Sequence, residues 1–475
     1  MTPRFRRDIE GLRAVAVVVV MAYHAGVPRF TGGFVGVDVF FVISGFLITG
    51  LLLRDTERSA WARIRHFYAR RVRRIVPAAT LVILVTLAGA AMLQNPLLQP
   101  AARDDAVSAM FFFSNFRFHH LATDYFHQGA APSLFQHFWS LSVEEQFYIV
   151  WPALLVVVSV GAAVRRRGAL AVVTAVGVAS FVLGWRLTSR DPSFAFFLLP
   201  TRAWELCAGA GLALIGDRVR MTTAASRVVR AVGLGLIVAA VFGFDNATPF
   251  PGAAGLLPVA GSALVIAAGM PSGDHEGRVL TPGIMQLGGR CSYSLYLWHW
   301  PALMLYALRR PSILTNWREA VIVLATVAVP GALVSYHVVE RPFRSQFNRR
   351  PDRQSLLAGV VIAAVFGLAL FPYGAAAATT LDAGQRARVT GVTPDHATPF
   401  VPSNMEPTLN GARKFREVVA ALDCQRTPLG CVTGDPNATT TVVLYGDSYA
   451  DHWALAFALL GRRQHWRIEI LGRAG

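Results

Sequence analysis

The sequence predicts a mainly α-helical polytopic membrane protein of about 10–11 transmembrane helices with a partial α/β extracytoplasmic domain. Hydrophobic residues make up 54% of the 475 residues and charged residues only 15%. Soluble domains average roughly 25% charged residues. Apolar runs of bilayer length recur along the chain. A polar C-terminal stretch carries instead a strand pattern followed by a helix pattern, the start of an α/β unit.

Basic residues lie between the apolar runs, and this distribution predicts the topology. The candidate spans are residues 11–28, 34–53, 75–93, 139–163, 169–187, 199–216, 229–244, 253–270, 289–308, 319–339 and 355–373. Short arginine-rich loops mark the cytoplasmic side of a membrane. We therefore expect a multi-pass protein of the cell inner (plasma) membrane, with its N-terminus in the cytoplasm and its C-terminal domain outside. The net charge of +17 is then explained by the membrane topology, and we expect no nucleic-acid partner. The lipid bilayer is a predicted partner.

Composition changes divide the chain into a membrane domain over 7–345, a further transmembrane helix over 346–373, a linker over 374–405 and a partial α/β domain over 406–475. In the last region we expect a short helix at 413–422, a strand at 439–445 and a helix at 453–460. Cys424 and Cys431 are spaced for a local disulfide if the tail is extracytoplasmic. No metal-ligand spacing is present. Since Gly475 follows the last helix closely, we expect the α/β domain to be incomplete.

Arg13 and His24 lie in the first apolar segment. A helix turns about 100° per residue, so the eleven steps between them place both side chains on one face, about 16 Å apart along the axis. Ionisable groups inside a span are costly and point to function. The alternative is that Arg13 extends to the membrane surface and His24 is a packing residue.

Two carboxylates accompany these residues. Asp38 begins the second apolar segment, where it either orients His24 or caps the helix. Glu144 lies seven residues after His137, which predicts that both share one face of a helix. Either carboxylate is a candidate for stabilising a cation that forms on His24.

Two further groups of polar residues occur near or inside spans. The basic stretch from Phe67 to Pro77 includes Arg70, Arg71 and Arg74, which determine topology or bind phosphate. Arg202 and Glu205 are spaced to pair within one helix.

In this combination the chain resembles the membrane-bound acyltransferase family 3, over about residues 7–345. The matching segments are Arg13 with His24, Gly33–Leu47, Phe67–Pro77, Trp139–Tyr148, Thr201–Leu206, Tyr293–Pro301 and Glu340–Pro342. The resemblance implies a membrane-bound O-acyltransferase that moves an acyl group, most simply acetyl, from cytoplasmic acyl-CoA to a hydroxyl of an extracytoplasmic glycan or cell-envelope polysaccharide. Acetyl-CoA or another acyl-CoA is then a donor substrate, and no cofactor is bound permanently.

The resemblance also assigns roles to individual residues. The family's arginine–histidine motif matches Arg13 and His24, and the glutamate of its tryptophan–serine–leucine motif matches Glu144. Coenzyme A phosphates would dock on Arg13, Arg70, Arg71 and Arg74. His24 would act as general base on the acceptor or as a transient acyl carrier.

The tail resembles the SGNH hydrolase domain often fused to this family, since Gly446-Asp447-Ser448 follows a strand. Ser448 would be the nucleophile, with its N–H in an oxyanion hole. Tyr449 stands where that family usually has histidine, and the family's Asp and His come later in the domain. Asp451 and His452 are poor substitutes, so we expect no complete site of this kind. A polytopic transporter or flippase for an envelope glycolipid is the alternative function.

Overall fold

The computed structural model describes residues 6–54, 59–94, 98–123, 132–158, 162–270, 279–345, 351–370, 431–435, 437–446 and 448–472. The chain forms two compact units, Met1–Gly374 and Ala375–Gly475. The first unit is built from helices and the second contains a small sheet. Each unit is described by itself.

Helices α1 to α16 make up the described part of the first unit. They are α1 (Arg7–His24), α2 (Gly36–Arg54), α3 (Ala60–Leu93), α4 (Gln99–Met110), α5 (Ser114–Thr123), α6 (Phe138–Val158), α7 (Ala162–Thr188), α8 (Pro192–Phe197), α9 (Leu199–Ile215), α10 (Thr223–Gly243), α11 (Leu256–Ala268), α12 (Gly283–Ala307), α13 (Trp317–Val323), α14 (Val329–Ser335), α15 (Arg341–Ser345) and α16 (Asp352–Leu370). Two π-helical turns, Leu324–Ala328 and Tyr336–Glu340, join α13 to α15 into one helical run.

Each predicted span coincides with one of these helices or with the α13–α15 run, so the expected polytopic helical architecture is confirmed. By length and composition, five helices in the described residues are apolar enough to cross a membrane: Gly33–Leu53, Trp61–Leu93, Arg166–Leu187, Thr223–Gly243 and Trp317–Ser345. The remaining predicted spans form helices that are shorter or more polar. Among them are α1, α6, α9 and α12, which carry several of the ionisable residues singled out in the sequence.

Helix α3 begins well before the predicted third span. The Ser59 hydroxyl caps it by accepting a hydrogen bond from the Ala62 N–H at 3.4 Å, a common helix start. The basic stretch is therefore helical and continuous with the apolar part. This continuity fixes the directions in which its arginines point.

Helices α2 and α9 pack closely through small residues. A β-carbon at Gly45 would overlap the Leu206 carbonyl oxygen, and one at Gly209 would overlap the Val42 carbonyl oxygen. Small residues allow such close approach between membrane helices. The contact brings the start of α2 beside the start of α9, where Asp38 and Arg202 lie.

The second unit contains β1 (Cys431–Gly434), β2 (Thr440–Gly446), α17 (Ser448–Gln464) and β3 (Trp466–Gly472) among its described residues. The strand order is β1-β3-β2, with β2 parallel to β3 and β1 antiparallel to it. Ile468 and Ile470 form the buried centre. His465 Nδ1 donates to Asp435 at 2.9 Å, and this hydrogen bond lowers the pKa of Asp435.

Sequence reasoning placed two of these elements and missed others. The predicted strand is β2, and the predicted second helix lies inside the longer α17. Strands β1 and β3 were not predicted, although the alternation from Trp466 to Ile470 is a strand pattern. The helix expected at 413–422 and one cysteine of the expected disulfide, Cys424, lie outside the described residues.

Candidate active site

A first cavity in the helical unit, the arginine cavity, lies among α1, α2, α3, α6 and α12. Its volume is about 90 Å³. Its polar walls consist of three arginines, one glutamate and several hydroxyl groups: Arg13, Arg71, Arg74, Glu144, Ser44, Ser140, Tyr148, Ser292, Tyr293 and Tyr296. Three cations around one carboxylate give the walls of this cavity an excess of positive charge, a lining that suits an anionic ligand.

A second, larger cavity, the histidine cavity, has a volume of about 650 Å³. Its walls include His24, His137, Asp38, Arg202, Trp139, Phe196, Phe197, Tyr296 and Trp300, together with the loop from Asp245 to Phe250. Residues 245–247 of that loop are exposed, so the cavity reaches the protein surface there. Aromatic rings with a few polar groups are the usual lining of a small-molecule site.

The two cavities meet at Val37 and Tyr296, which line both. Helices α1, α2, α6 and α12 each contribute side chains to both cavities. On α1, Arg13 lines one cavity and His24 the other. The cavities therefore lie one above the other along the same helices, divided by the side chains of Val37 and Tyr296.

The arginine cavity holds two of its charges by local contacts. Arg13 Nη1 lies 3.4 Å from Glu10 Oε1, one turn earlier on α1. The Arg71 guanidinium lies over the Tyr148 ring, 4.8 Å from its centroid. Tyr148 and Ser44 hydrogen-bond to each other beside Glu144. These contacts orient the arginines while leaving cationic groups at the cavity wall.

Arg70 differs from the other predicted phosphate ligands, because it does not line the arginine cavity. Arg71 and Arg74 are three residues apart and share a helix face. Arg70 lies a quarter-turn away from Arg71, and its side chain is half-buried. Helical periodicity within the basic stretch is the signal in the sequence that separates Arg70 from Arg71 and Arg74.

His24 is paired with another histidine. Its Nδ1 lies 3.0 Å from Nε2 of His299, and Nδ1 of His299 lies 2.6 Å from the Tyr296 carbonyl oxygen. A carbonyl only accepts, so His299 Nδ1 carries a proton. With both rings neutral, His299 Nε2 accepts the Nδ1 proton of His24. This assignment, made from the hydrogen-bond network, leaves the lone pair of His24 on Nε2.

Asp38 has a different partner from the one the sequence suggested. It was expected to orient His24 or cap α2, but Arg202 Nη2 donates to Asp38 Oδ1 at 3.1 Å. Arg202 Nε also lies 3.2 Å from Glu205 Oε1, the pair expected within one helix. The orienting group of His24 is therefore His299, from a helix far along the chain.

His137 and Glu144 line different cavities, as Arg13 and His24 do on α1, so their shared face stays a prediction. His137 precedes α6 and lines the histidine cavity, whereas Glu144 lies on α6 and lines the arginine cavity. The Tyr296 hydroxyl donates to the His137 carbonyl oxygen at 3.0 Å and accepts from Ser140 Oγ at 2.6 Å.

The sequence analysis included the segment Tyr293–Pro301, with its histidine between two tryptophans, but gave neither His299 nor Tyr296 a role in the site. Ser448, the candidate nucleophile of the tail, is the first residue of α17, and β2 ends at Gly446; Asp447 between them lies outside the described residues.

The family was decided by comparison with known sequences. The profile of a family described as an acyltransferase domain matches residues 6–337. The chain belongs to acyltransferase family 3. The matched range contains α1 to α12 and most of the α13–α15 run, and therefore every residue that lines the two cavities. A comparison of this chain with solved structures found no match.

Three relatives illustrate the similarity. YrhL of Bacillus subtilis (strain 168) is 34% identical over 365 residues, which are 73% of this chain and 57% of that protein. The peptidoglycan O-acetyltransferase OatA of Listeria monocytogenes is 33% identical over 364 residues, 72% of this chain and 57% of that protein. The O-acetyltransferase OatA of Staphylococcus aureus (strain MRSA252) is 29% identical over 379 residues, 76% of this chain and 61% of that protein. This acyltransferase-family chain thus spans about three fifths of the length of these relatives.

Proposed function

We propose that the protein transfers an acetyl group from acetyl-CoA to a hydroxyl of a cell-wall polysaccharide. The observation that carries this proposal is the pair of cavities that meet at Val37 and Tyr296. One cavity supplies cations for a phosphorylated donor and the other supplies a basic nitrogen for an acceptor. The names of the relatives from Listeria and Staphylococcus support O-acetylation, and that of the Listeria protein supports peptidoglycan as the acceptor.

In the donor half, Arg13, Arg71 and Arg74 bind phosphate oxygens of coenzyme A at the cytoplasmic side. The arginine cavity is far smaller than a nucleotide, so the adenosine stays outside, the phosphates lie against the arginines, and the pantetheine arm carries the thioester toward Val37 and Tyr296. Glu144 offsets part of the positive charge of the arginines. Its contacts with Tyr148 and Ser44 fix the positions of these side chains in the cavity wall. The thioester carbonyl then lies against the partition formed by Val37 and Tyr296.

In the acceptor half, the sugar hydroxyl lies in the histidine cavity. His24 Nε2 takes the proton of that hydroxyl as its oxygen attacks the thioester carbonyl carbon. The carbon–sulfur bond breaks, and the coenzyme A thiolate leaves and takes a proton. His299 holds His24 in the required tautomer and stabilises the imidazolium that forms. An ester and free coenzyme A are the products.

The arginine-rich loops support a cytoplasmic N-terminus and an extracytoplasmic tail. Transfer to a sugar in the histidine cavity does not use Ser448, so replacement of Ser448 by alanine should leave acetylation of a soluble sugar acceptor unchanged.

The decisive experiment uses the full chain in lipid nanodiscs with radiolabelled acetyl-CoA and soluble peptidoglycan fragments. His24→Ala should lower ester formation by about 10²- to 10⁴-fold, the usual contribution of a general base. His337→Ala is the matched control, since His337 is exposed and lines neither cavity. Ester formation retained in His24→Ala contradicts the proposal. An acyl-imidazole found by mass spectrometry assigns His24 the carrier role, and glycolipid movement without acyl-CoA favours a flippase.

A further inference from the structure

Asp38, Arg202 and Glu205 form a buried charge cluster between α2 and α9. Their exposed fractions are 0%, 1% and 0%. One guanidinium faces two carboxyl groups, at 3.1 Å from Asp38 and 3.2 Å from Glu205. Asp38 and Arg202 line the histidine cavity, whereas Glu205 lies behind them. The proposed transfer chemistry uses none of the three.

Aromatic rings surround the guanidinium of Arg202. Its Cζ lies 5.3 Å from the ring centroid of Phe250, 5.5 Å from Phe41, and 5.8 Å from both Trp139 and Phe196. Such rings hold the cation in a fixed position. Arg202 therefore presents its donors to the cavity in one direction.

Five buried polar atoms of the cluster lack a hydrogen bond of good geometry among the residues that the structure describes: Nη1 and Nε of Arg202, Oδ2 of Asp38 and both carboxyl oxygens of Glu205. Nε of Arg202 still forms an ion pair with Glu205, and the Glu205 carboxyl also contacts that of Asp38. Nη1 of Arg202 and Oδ2 of Asp38 are the atoms of this set that belong to cavity-lining residues and are left for a ligand. A buried charged group with unmet hydrogen bonds is costly. Because both residues line a cavity that reaches the surface, a ligand is able to satisfy them. The ligand needs a hydrogen-bond acceptor for Arg202 and a hydroxyl or amide donor for Asp38.

We propose that Asp38 and Arg202 form a subsite that binds one neutral pyranose ring of the acceptor. A sugar hydroxyl donates to Asp38 Oδ2, and a second hydroxyl or an N-acetyl oxygen accepts from Arg202 Nη1. Asp38 on the cavity wall and the second carboxyl behind it disfavour an anionic ligand. Trp139 and Phe196 supply apolar faces for the ring carbons. This inference rests on the proposed function, because it gives the acceptor cavity its recognition site.

The subsite changes the role of Asp38. The sequence suggested that Asp38 orients His24, whereas the structure gives that task to His299. Asp38 instead contacts the substrate, and so sets the position of the reacting hydroxyl relative to His24. Loss of Asp38 should therefore weaken sugar binding even where no chemistry occurs.

The test measures binding of N-acetylchitotetraose, a neutral oligosaccharide, by calorimetry on the full chain in nanodiscs. All proteins carry His24→Ala, so that no turnover occurs. Asp38→Asn and Arg202→Gln should each raise Kd by about tenfold or more, as expected for a lost hydrogen bond to a charged group. The matched control is Asp8→Asn, since Asp8 is also buried and paired, with Arg6 at 2.7 Å, but lines neither cavity. Its Kd should stay within about twofold.

Thermal unfolding of each protein separates loss of binding from loss of folding. If Asp38→Asn does not fold, Ala247→Trp at the exposed rim should block the cavity and weaken binding equally. A folded Asp38→Asn protein with unchanged Kd overturns the subsite, as does unchanged binding in Ala247→Trp or no binding in the parent. None of these results depends on whether His24→Ala abolishes transfer, so the two proposals fail separately.

Discussion

The arginine cavity and the histidine cavity lie at opposite ends of the same helices, but their walls differ in charge and size. The first is lined by three arginines and one glutamate in about 90 Å³, and the second by two histidines and many aromatic rings in about 650 Å³. The donor side therefore recognises charge, and the acceptor side recognises shape and hydroxyl groups. A charged donor and a bulky neutral acceptor are thus kept apart until the acyl group reaches the partition.

Tyr296 connects the two regions, although it belongs fully to neither. Its carbonyl oxygen accepts from His299, and its hydroxyl bonds to the His137 carbonyl and to Ser140. The residue that divides the cavities therefore also holds the ring that orients His24. A substitution that moves Tyr296 should therefore also move His299, one helix turn later, and with it the ring of His24.

The largest effect in this comparison is expected from His299, which acts only on the acceptor side. His299→Phe removes the acceptor for the Nδ1 proton of His24, so the tautomer is no longer fixed. We expect kcat to fall on the order of 100-fold, at the lower end of general-base contributions. KM for acetyl-CoA should not change, because His299 does not line the arginine cavity. Steady-state kinetics in nanodiscs measure both quantities.

A conservative variant separates this positioning role from packing. The amide of His299→Gln is able to accept from His24 and to donate to the Tyr296 carbonyl, so it should restore much of kcat. Phenylalanine fills the space equally well without these bonds. If both variants are equally active or equally inactive, His299 does not position His24.

On the donor side the expected effects are smaller and appear in KM. Arg71→Ala and Arg74→Ala should each raise KM for acetyl-CoA by about tenfold, since each removes one charged phosphate contact. Added salt should weaken donor binding in the wild type more than in these variants. Arg65→Ala is the control, because Arg65 is exposed on the same helix and lines neither cavity. An equal rise in KM in the control would show only a general surface charge effect.

Arg70→Ala sharpens the same comparison. Arg70 belongs to the same basic stretch but does not line the cavity, so its effect on KM should be smaller than that of Arg71. Equal effects would mean that the donor also binds outside the arginine cavity.

The helices that could be predicted from the sequence are those determined by the hydropathy of their own segment. Apolar runs placed every span because hydropathy is a property of each segment alone. The lipid-facing helices, such as α10, follow this rule well. The α12 helix, by contrast, carries His299 and Tyr296 toward the interior of the helical unit. It is not among the five helices that are apolar enough to cross a membrane, because it contains more polar residues.

The site itself depends on contacts between distant segments. His24 and His299 are 275 residues apart in sequence, and no periodicity in either segment indicates the pairing. The same holds for Asp38 and Arg202, which meet because Gly45 and Gly209 allow α2 and α9 to approach. Sequence therefore identified most of the ionisable residues but not the pairing of Asp38 with Arg202.

The smallest effect is expected at the partition formed by Val37 and Tyr296. A substitution there tests whether the acyl group crosses between the cavities at this point. Val37 lines both cavities, so Val37→Ala widens the partition by two methyl groups without touching a polar atom. The ratio of kcat/KM for propionyl-CoA to that for acetyl-CoA should rise about threefold, less than the full effect of a methylene pocket. Val39→Ala is the matched control, since Val39 is fully buried on the same helix and lines neither cavity. A rise in both variants would indicate general loosening of α2, and no rise in Val37→Ala would place the crossing point elsewhere. A rise in Val37→Ala alone would show that the Val37 side chain limits the length of the transferred acyl chain.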